Sequence, residues 1–407
     1  MGDTATTPVS IAPLLLKLAS PTTTLHSVSG IEIAAAVALI FSNSISPVQA
    51  GCLLYALHTT QLDRRPDVLA ACADAMRVAA SQIDTAALKA SLGPKMKEMA
   101  RGSYDGGLVD IVGTGGDSHN TYNVSTTTSI IVSPLLLVAK HGNNASTSRS
   151  GSADLLISTS PAPSLSACAA STLPTVYAKS NYAFLYARDW HPGMRHAASV
   201  RKELPFRTIF NLLGPLSNPL HSTGLLSARI LGVAKRDMGP VFADALRMSG
   251  VTRALVVCGA EDLDELSCAG ETYCWLLRPS AEGTTEVLPF TVKPEDLGLP
   301  RHPLAQVAGG KRPHENAAIL KDLLDDRLPL NGPIATFVLI NAAALLAVSG
   351  VCEADDGPET DTTVGPGGLR WREGVRRAKW CITSGRAREE WQRYVSATRS
   401  VAGEGVS

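Results

Sequence analysis

Two neighbouring carboxylates, Asp264 and Glu265, stand in the string D-E-L-S. Ionised neighbours repel, so such a pair either stays in water or holds a cation. Mg²⁺ takes one or two carboxylates and completes its shell with water and substrate phosphate. A phosphate cradle occurs in the same chain. Gly113-Thr114-Gly115-Gly116-Asp117 follows a short β-branched run (Val109, Ile111, Val112). Glycine lets backbone N–H groups approach a ligand with no Cβ in the way. Asn123 and Ser125 offer helix N-caps before Ile130-Ile131-Val132. A glycine loop that opens onto a helix N-terminus turns free donors and a positive dipole end toward an anion. A second apolar run, Leu135 to Ala139, delivers Lys140-His141-Gly142-Asn143, and Lys140 adds a full charge. Arg201 carries a planar guanidinium that matches a carboxylate with two parallel hydrogen bonds. Taken alone, the D-E pair reads first as a solvated acidic turn, and Arg201 as a solvated helical residue.

Positioning these groups requires a strand, the glycine loop, a helix and a second strand, a βαβ unit with a right-handed crossover. Ahead of it the spacing of apolar residues predicts helices over Ile11–Ala19, Gly30–Ser42, Ser46–Leu57 and from Pro66 onward. No strand signal separates them, so they form a small helical domain. Gly102 to Gly107 reads as a hinge. Beyond the unit, Ala162–Thr172 reads as helix, Thr175–Tyr177 as strand, and Asn181–Tyr186 as helix. Gly214-Pro215-Leu216-Ser217-Asn218-Pro219 has little regular structure open to it. Arg229–Val233, Ala254–Cys258, Tyr273–Leu277 and Glu286–Val292 read as strands. Pro240–Met248, Ala317–Leu324, Pro333–Val348 and Trp371–Val395 read as helical. Glu353–Gly368, acidic and rich in Gly, Pro and Thr, is expected to be a mobile surface loop.

Four blocks in order, G-T-G-G-D, N-x-S-T, K-H-G-N and S-G-S-A-D, resemble the phosphoribosyl diphosphate (PRPP) site of the anthranilate phosphoribosyltransferases. A second signature resembles the same family: His191-Pro192-Gly193-Met194, Val200-Arg201-Lys202-Glu203-Leu204, Arg207-Thr208-Ile209-Phe210-Asn211, Gly214-Pro215-Leu216 and Asn218-Pro219. The resemblance covers about residues 30–350. It implies an α/β fold: a small all-helical domain plus a larger α/β domain with a central mixed sheet flanked by helices. The helical domain would take residues 1–104, with 178–200 returning to it, and the α/β domain 105–177 and 201–407. It implies transfer of 5-phosphoribose from PRPP to the anthranilate amine, a step of tryptophan biosynthesis. Carried over by motif, the PRPP ligands are Gly113, Thr114, Gly116, Asp117, Thr121, Asn123, Val124, Ser125, Thr126, Lys140, His141, Gly142, Asn143, Ser148 and Ser152. Anthranilate would meet Gly113, Asn143, His191, Arg201 and Gly214. The metal, Mg²⁺, would meet Ser125, Asp264 and Glu265. No residue is singled out as a general base, and an aryl amine needs none to be a fair nucleophile. A homodimer through the helical domain is the family's expected assembly. The chain departs from the family pattern at Trp190, Asn144, Ile157 and Gly259-Ala260-Glu261-Asp262, which leaves the outer substrate channel and loop contacts open.

Lys plus Arg equals Asp plus Glu, 37 each, so no bulk attraction to nucleic acid is expected. The eight cysteines are scattered without a C-x-x-C pair and fit reduced thiols in a cytoplasmic protein. The longest apolar run, Phe337 to Val348, is too short to span a bilayer, and the N-terminus lacks the early basic residue of a secretory signal. A nucleoside phosphorylase of similar fold is the competing enzyme reading, against which Arg201 and the D-E-L-S block argue. A nucleic-acid-binding relative should lack Arg201 and carry a basic stripe.

Overall fold

Strands buried on both faces carry continuous apolar runs, because helices cover each side of a parallel sheet. Five mainly apolar segments build the sheet here, unbroken in β3 and β5 and interrupted by Asp110, Lys140 and Arg229 in the others: β1 (Leu108–Gly113), β2 (Leu137–Gly142), β3 (Tyr182–Tyr186), β4 (Leu226–Gly232) and β5 (Ala254–Gly259). Two longer strands, β6 (Thr272–Pro279) and β7 (Thr285–Val292), follow as a hairpin. The computed structural model describes residues 8–20, 27–145, 149–310 and 312–403. The strand order is β3-β2-β1-β4-β5-β6-β7. β1 to β5 pair in parallel, and β6 and β7 add antiparallel at one edge.

Alternate residues of β5 feed two separate cores. Leu255 and Val257 pack with the helices Val124–Ile131 and Pro333–Ser349. Ala254, Val256 and Cys258 pack with Met238–Met248 and with the N-terminal helices Ala12–Ala19, Gly30–Phe41, Pro47–Thr60 and Pro66–Val78. Those four helices start where the sequence places them. Ser29 and Ser46 accept from Glu32 N and Gln49 N, and Pro47 and Pro66 occupy first-turn positions where a missing N–H costs nothing.

Several expectations are corrected. Thr175–Tyr177 lies inside a helix, Leu173–Lys179, with Pro174 in its first turn. Asn181–Tyr186 supplies strand β3, paired in parallel with β2 from Tyr182 on. Its unbroken apolar run had no alternation to mark it as a strand, because both faces are covered. Ala162–Thr172 keeps only a 3₁₀ turn, Leu165–Cys168. Gly214-Pro215-Leu216 ends a helix, Phe210–Leu216, whose last carbonyls are held from outside: Arg229 donates to Pro215 O at 2.6 Å and Arg77 to Leu216 O at 2.8 Å. The C-terminal stretch is two helices, Trp371–Thr383 and Arg386–Val401, parted by Gly385 at φ +75°. An unforeseen helix, Thr85–Met99, capped by Asp84, sends Leu88 and Leu92 into the α/β core. Residues 353–368 are irregular but tied down: Asp356 pairs with Arg377 at 2.7 Å and Arg101 at 2.9 Å, and Glu373 accepts from Asp361 N.

Candidate active site

From β1 the chain winds outward through β2 and β3, and from β4 it winds the opposite way through β5. Loops leaving the carboxyl ends of β1 and β4 therefore diverge, and a crevice opens at this reversal of strand order. The glycine loop leaves β1 there. Thr114 N donates to Gly232 O at the end of β4, which locks the two strand ends together. Between them sits the segment after β5. A Cβ on Gly113 would stand 2.3 Å from Asp264 Oδ2, and one on Gly232 would stand 1.5 Å from Asp264 O. Both strands end in glycine because Asp264 occupies that space.

Three carboxylates meet at this point. Gly115 N donates to Asp264 Oδ2 at 2.6 Å. Burial, with the Asp117 charge beside it, pushes the Asp264 carboxyl up to about 7. Burial also pushes Glu265 well above its ordinary range, and the charges of Asp264 and Asp117 add to that; Lys140 and a hydrogen bond from the Ser125 backbone pull the other way. Glu265 Oε2 is buried without a hydrogen-bond partner. A cavity of about 10 Å³, room for one small solvent molecule or ion, is lined by Ser125, Asp264, Glu265, Gly113, Gly232 and Asn341. Crowded, desolvated carboxylates with an orphaned oxygen are a site that lacks positive charge. Mg²⁺ fits this donor set: hard oxygens, few protein ligands and space for phosphate. Among the described residues no group of three or more His, Cys, Asp or Glu side chains is placed to hold a metal ion by itself.

The other expected PRPP residues divide into those facing the crevice and those bracing it. Gly113, Thr114, Gly116 and Asp117 form the loop, and Asp117 Oδ1 accepts His119 N. Thr121 pairs with Ala308 in a short bridge. Asn123 precedes the helix Val124–Ile131 but does not cap it with its side chain. Its amide instead donates to Ser150 O at 2.8 Å and accepts from Asn316 at 2.9 Å, joining three segments. Thr126 Oγ1 donates to Ser152 Oγ at 2.8 Å, so two expected ligands meet each other. Lys140, 1% exposed, donates to His141 O and lies between the Asp110 and Glu265 charges. It balances the acidic cluster from below instead of reaching into open phosphate space. Gly142 packs against Phe184, and Asn143 is exposed at the strand end. Ser148 lies outside the described residues.

Among the residues expected around anthranilate, His191 meets His141 edge to face at 5.1 Å, both buried, and His141 hydrogen-bonds the Gly214 backbone. Arg201, on the helix Met194–Glu203, lies over Phe210 at 5.7 Å and makes no ion pair among the described residues. No hydrogen bond or ring contact joins it to His191 or Asn143 within that set. Trp190 is no channel residue: it is buried, and its indole N–H donates to Cys168 O at 2.9 Å. Asn144 is held by Asp154 and by the Tyr186 hydroxyl, which fixes the loop contact the sequence left open. Ile157 is exposed.

Burial holds His191 down to about 4 and His141 well below its ordinary value. The folded state therefore binds fewer protons than the unfolded chain below pH ~6.5, and stability present above that pH is lost as pH falls toward 4. His191 alone accounts for on the order of 3 kcal/mol over that range. Urea unfolding at pH 7 and pH 5 should show a falling midpoint, with a smaller fall in His191→Gln; equal falls would show that His191 titrates the same way folded and unfolded.

Sequence reasoning missed the residues that hold this site from behind. Asp110, fully buried, accepts from His141 N, Asn218 Nδ2 and Arg229 Nη2. Asn341, inside a helix buried all round, accepts from Leu266 N and donates to Leu266 O, bracing the D-E-L-S segment. An asparagine in a long apolar run and a charge inside a buried strand were the signals available.

The chain matches two family models, the glycosyl transferase family helical bundle domain over residues 13–80 and the α/β domain of that family over 105–388. It is 39% identical over 361 residues to anthranilate phosphoribosyltransferase of Schizosaccharomyces pombe, covering 88% of this chain and 90% of that one. It also resembles the solved anthranilate phosphoribosyltransferase of Saccharomyces cerevisiae in complex with PRPP and Mg, with a TM-score of 0.78 and 29% identity over 96% of this chain and 99% of that one. The same yeast enzyme in complex with 4-fluoroanthranilate gives a TM-score of 0.76 at 27% identity, covering 96% and 97%.

Proposed function

The chain belongs to the anthranilate phosphoribosyltransferases of this glycosyl transferase family, and we propose that it transfers 5-phosphoribose from PRPP to the amine of anthranilate, giving N-(5-phosphoribosyl)anthranilate and pyrophosphate. The observation that carries this reading is the acidic cluster of Asp117, Asp264 and Glu265, short of positive charge, facing a glycine loop at the reversal of strand order.

Each residue then has a task. Loop N–H groups after Gly113 and the helix N-terminus at Val124 hold phosphate oxygens where charge grows on the departing pyrophosphate. Ser125, Asp264 and Glu265 hold Mg²⁺, which supplies charge neutralisation for the diphosphate. Asp117 orients the ribose. Arg201 takes the anthranilate carboxylate, and Gly214, His191 and Asn143 border the ring. Fixing both reactants supplies roughly 7–11 kcal/mol of barrier reduction. The aryl amine attacks without prior deprotonation, so no base is required.

Leu16, Ile31, Val48 and Tyr55, exposed apolar side chains on the first three helices, support assembly as a homodimer through the helical domain. Buried free cysteines support a cytoplasmic setting: every cysteine but Cys52 is buried. Among the described residues no helix is long and apolar enough to cross a membrane.

The test is the loss of anthranilate fluorescence with purified protein, PRPP and Mg²⁺. A decay that EDTA abolishes is expected. A folded protein that leaves the fluorescence unchanged would overturn the assignment, and nucleosides with phosphate would be tried next.

A further inference from the structure

Resting on the reading above, we infer that Arg207 is a positioning residue for the donor, which holds the glycine loop in its anion-binding shape and ties it to the helical domain. The Arg207 guanidinium is exposed, and its Nη2 donates to Gly115 O at 3.0 Å and Thr114 O at 3.3 Å. In a planar trans peptide the carbonyl and the following N–H point in opposite directions. Turning the Thr114 and Gly115 carbonyls toward Arg207 therefore turns the N–H groups of Gly115 and Gly116 the other way. The first of them already shows the result, since Gly115 N meets Asp264 Oδ2 at 2.6 Å in the crevice. The loop reaches this shape through φ values of +65° at Gly115 and +78° at Gly116. At Gly116 a second constraint applies: a Cβ there would stand 1.1 Å from Arg207 Nη1. Glycine is needed at 116 both for its backbone angle and to leave room for the guanidinium.

The residue before Arg207 reaches the other way. Phe206 stacks on His58 at 4.6 Å and meets Tyr55 edge on at 6.0 Å, both on the helix Pro47–Thr60. Consecutive side chains thus grip the helical domain and the donor loop. Arg207 acts through the loop's peptide groups and not on a reacting atom.

The experiment compares the wild type with Arg207→Ala and Arg207→Lys by calorimetric PRPP binding in the presence of Mg²⁺ and by steady-state kinetics. Removing a charged donor that serves two carbonyls should weaken PRPP binding about tenfold and raise its KM in step. At saturating PRPP, the anthranilate KM should stay within about twofold, and the thermal midpoint, for an exposed side chain, should not move. Arg207→Lys, which keeps a donor, should recover part of the PRPP affinity. Unchanged PRPP affinity in Arg207→Ala would overturn the inference, as would equal rises in both KM values. A wild type that binds no PRPP would instead defeat the functional reading itself.

Discussion

Replacing Asp264 with Asn and Glu265 with Gln together should cut phosphoribosyl transfer by about a thousandfold, the scale of losing a preorganised charge-stabilising element. The residual rate should no longer rise with Mg²⁺. The substitutions keep shape and hydrogen-bonding capacity while removing two charges. They should also raise the thermal midpoint of the ligand-free protein. At pH 8 the unfolded chain carries both carboxylates ionised in water, whereas burial and the neighbouring Asp117 charge disfavour their ionised forms in the folded crevice, a cost that the neutral amides do not incur. Opposite movements of activity and stability separate a functional cluster from a structural one, because breaking a structural network would lower both. A double variant with an undiminished Mg²⁺ response would place the metal elsewhere.

Arg201→Ala should raise the KM for anthranilate by roughly a hundredfold, about the worth of two hydrogen bonds to a charged group. The KM for PRPP should change little. Among the described residues the guanidinium pairs with no carboxylate and lies over the face of Phe210, so its charge is available to an incoming acid. Arg201→Lys should fall between, since an ammonium lacks the planar fork. A rise confined to the PRPP KM would move Arg201 to the donor side.

Legibility in the sequence followed the locality of the cause. Ser29, Ser46, Pro47 and Pro66 act within one turn of their own helices, and those starts were readable. The glycine ends of β1 and β2 were readable for the same reason. The exchange of helix and strand between 173–179 and 182–186 was not, because β3 is set by pairing with β2 and by cover on both faces, neither of which is written locally. Within the crevice, Gly113, Asp117, Asp264 and Glu265 stood out by residue type and motif, and the structure brings them together. The task of Asn123 did not, because its partners, Ser150 and Asn316, lie 27 and 193 residues away. Lys140 and Asp110 were similarly opaque: a charge on a buried strand takes its meaning from what stands beneath the site.

The two walls of the crevice are anchored unequally. On the acidic side, Leu266 N is bonded to Asn341 within a helix that has no solvent face. Hydrogen exchange at that amide requires opening of the whole α/β core. On the glycine side, Gly115 and Gly116 are exposed and carry no regular backbone ladder. The Gly116 amide exchanges through local opening alone. Thr114 N and Gly115 N are already bonded, to Gly232 O and Asp264 Oδ2, so new protection against exchange on donor binding belongs to Gly116 and Asp117, with the carboxylate wall fixed beforehand.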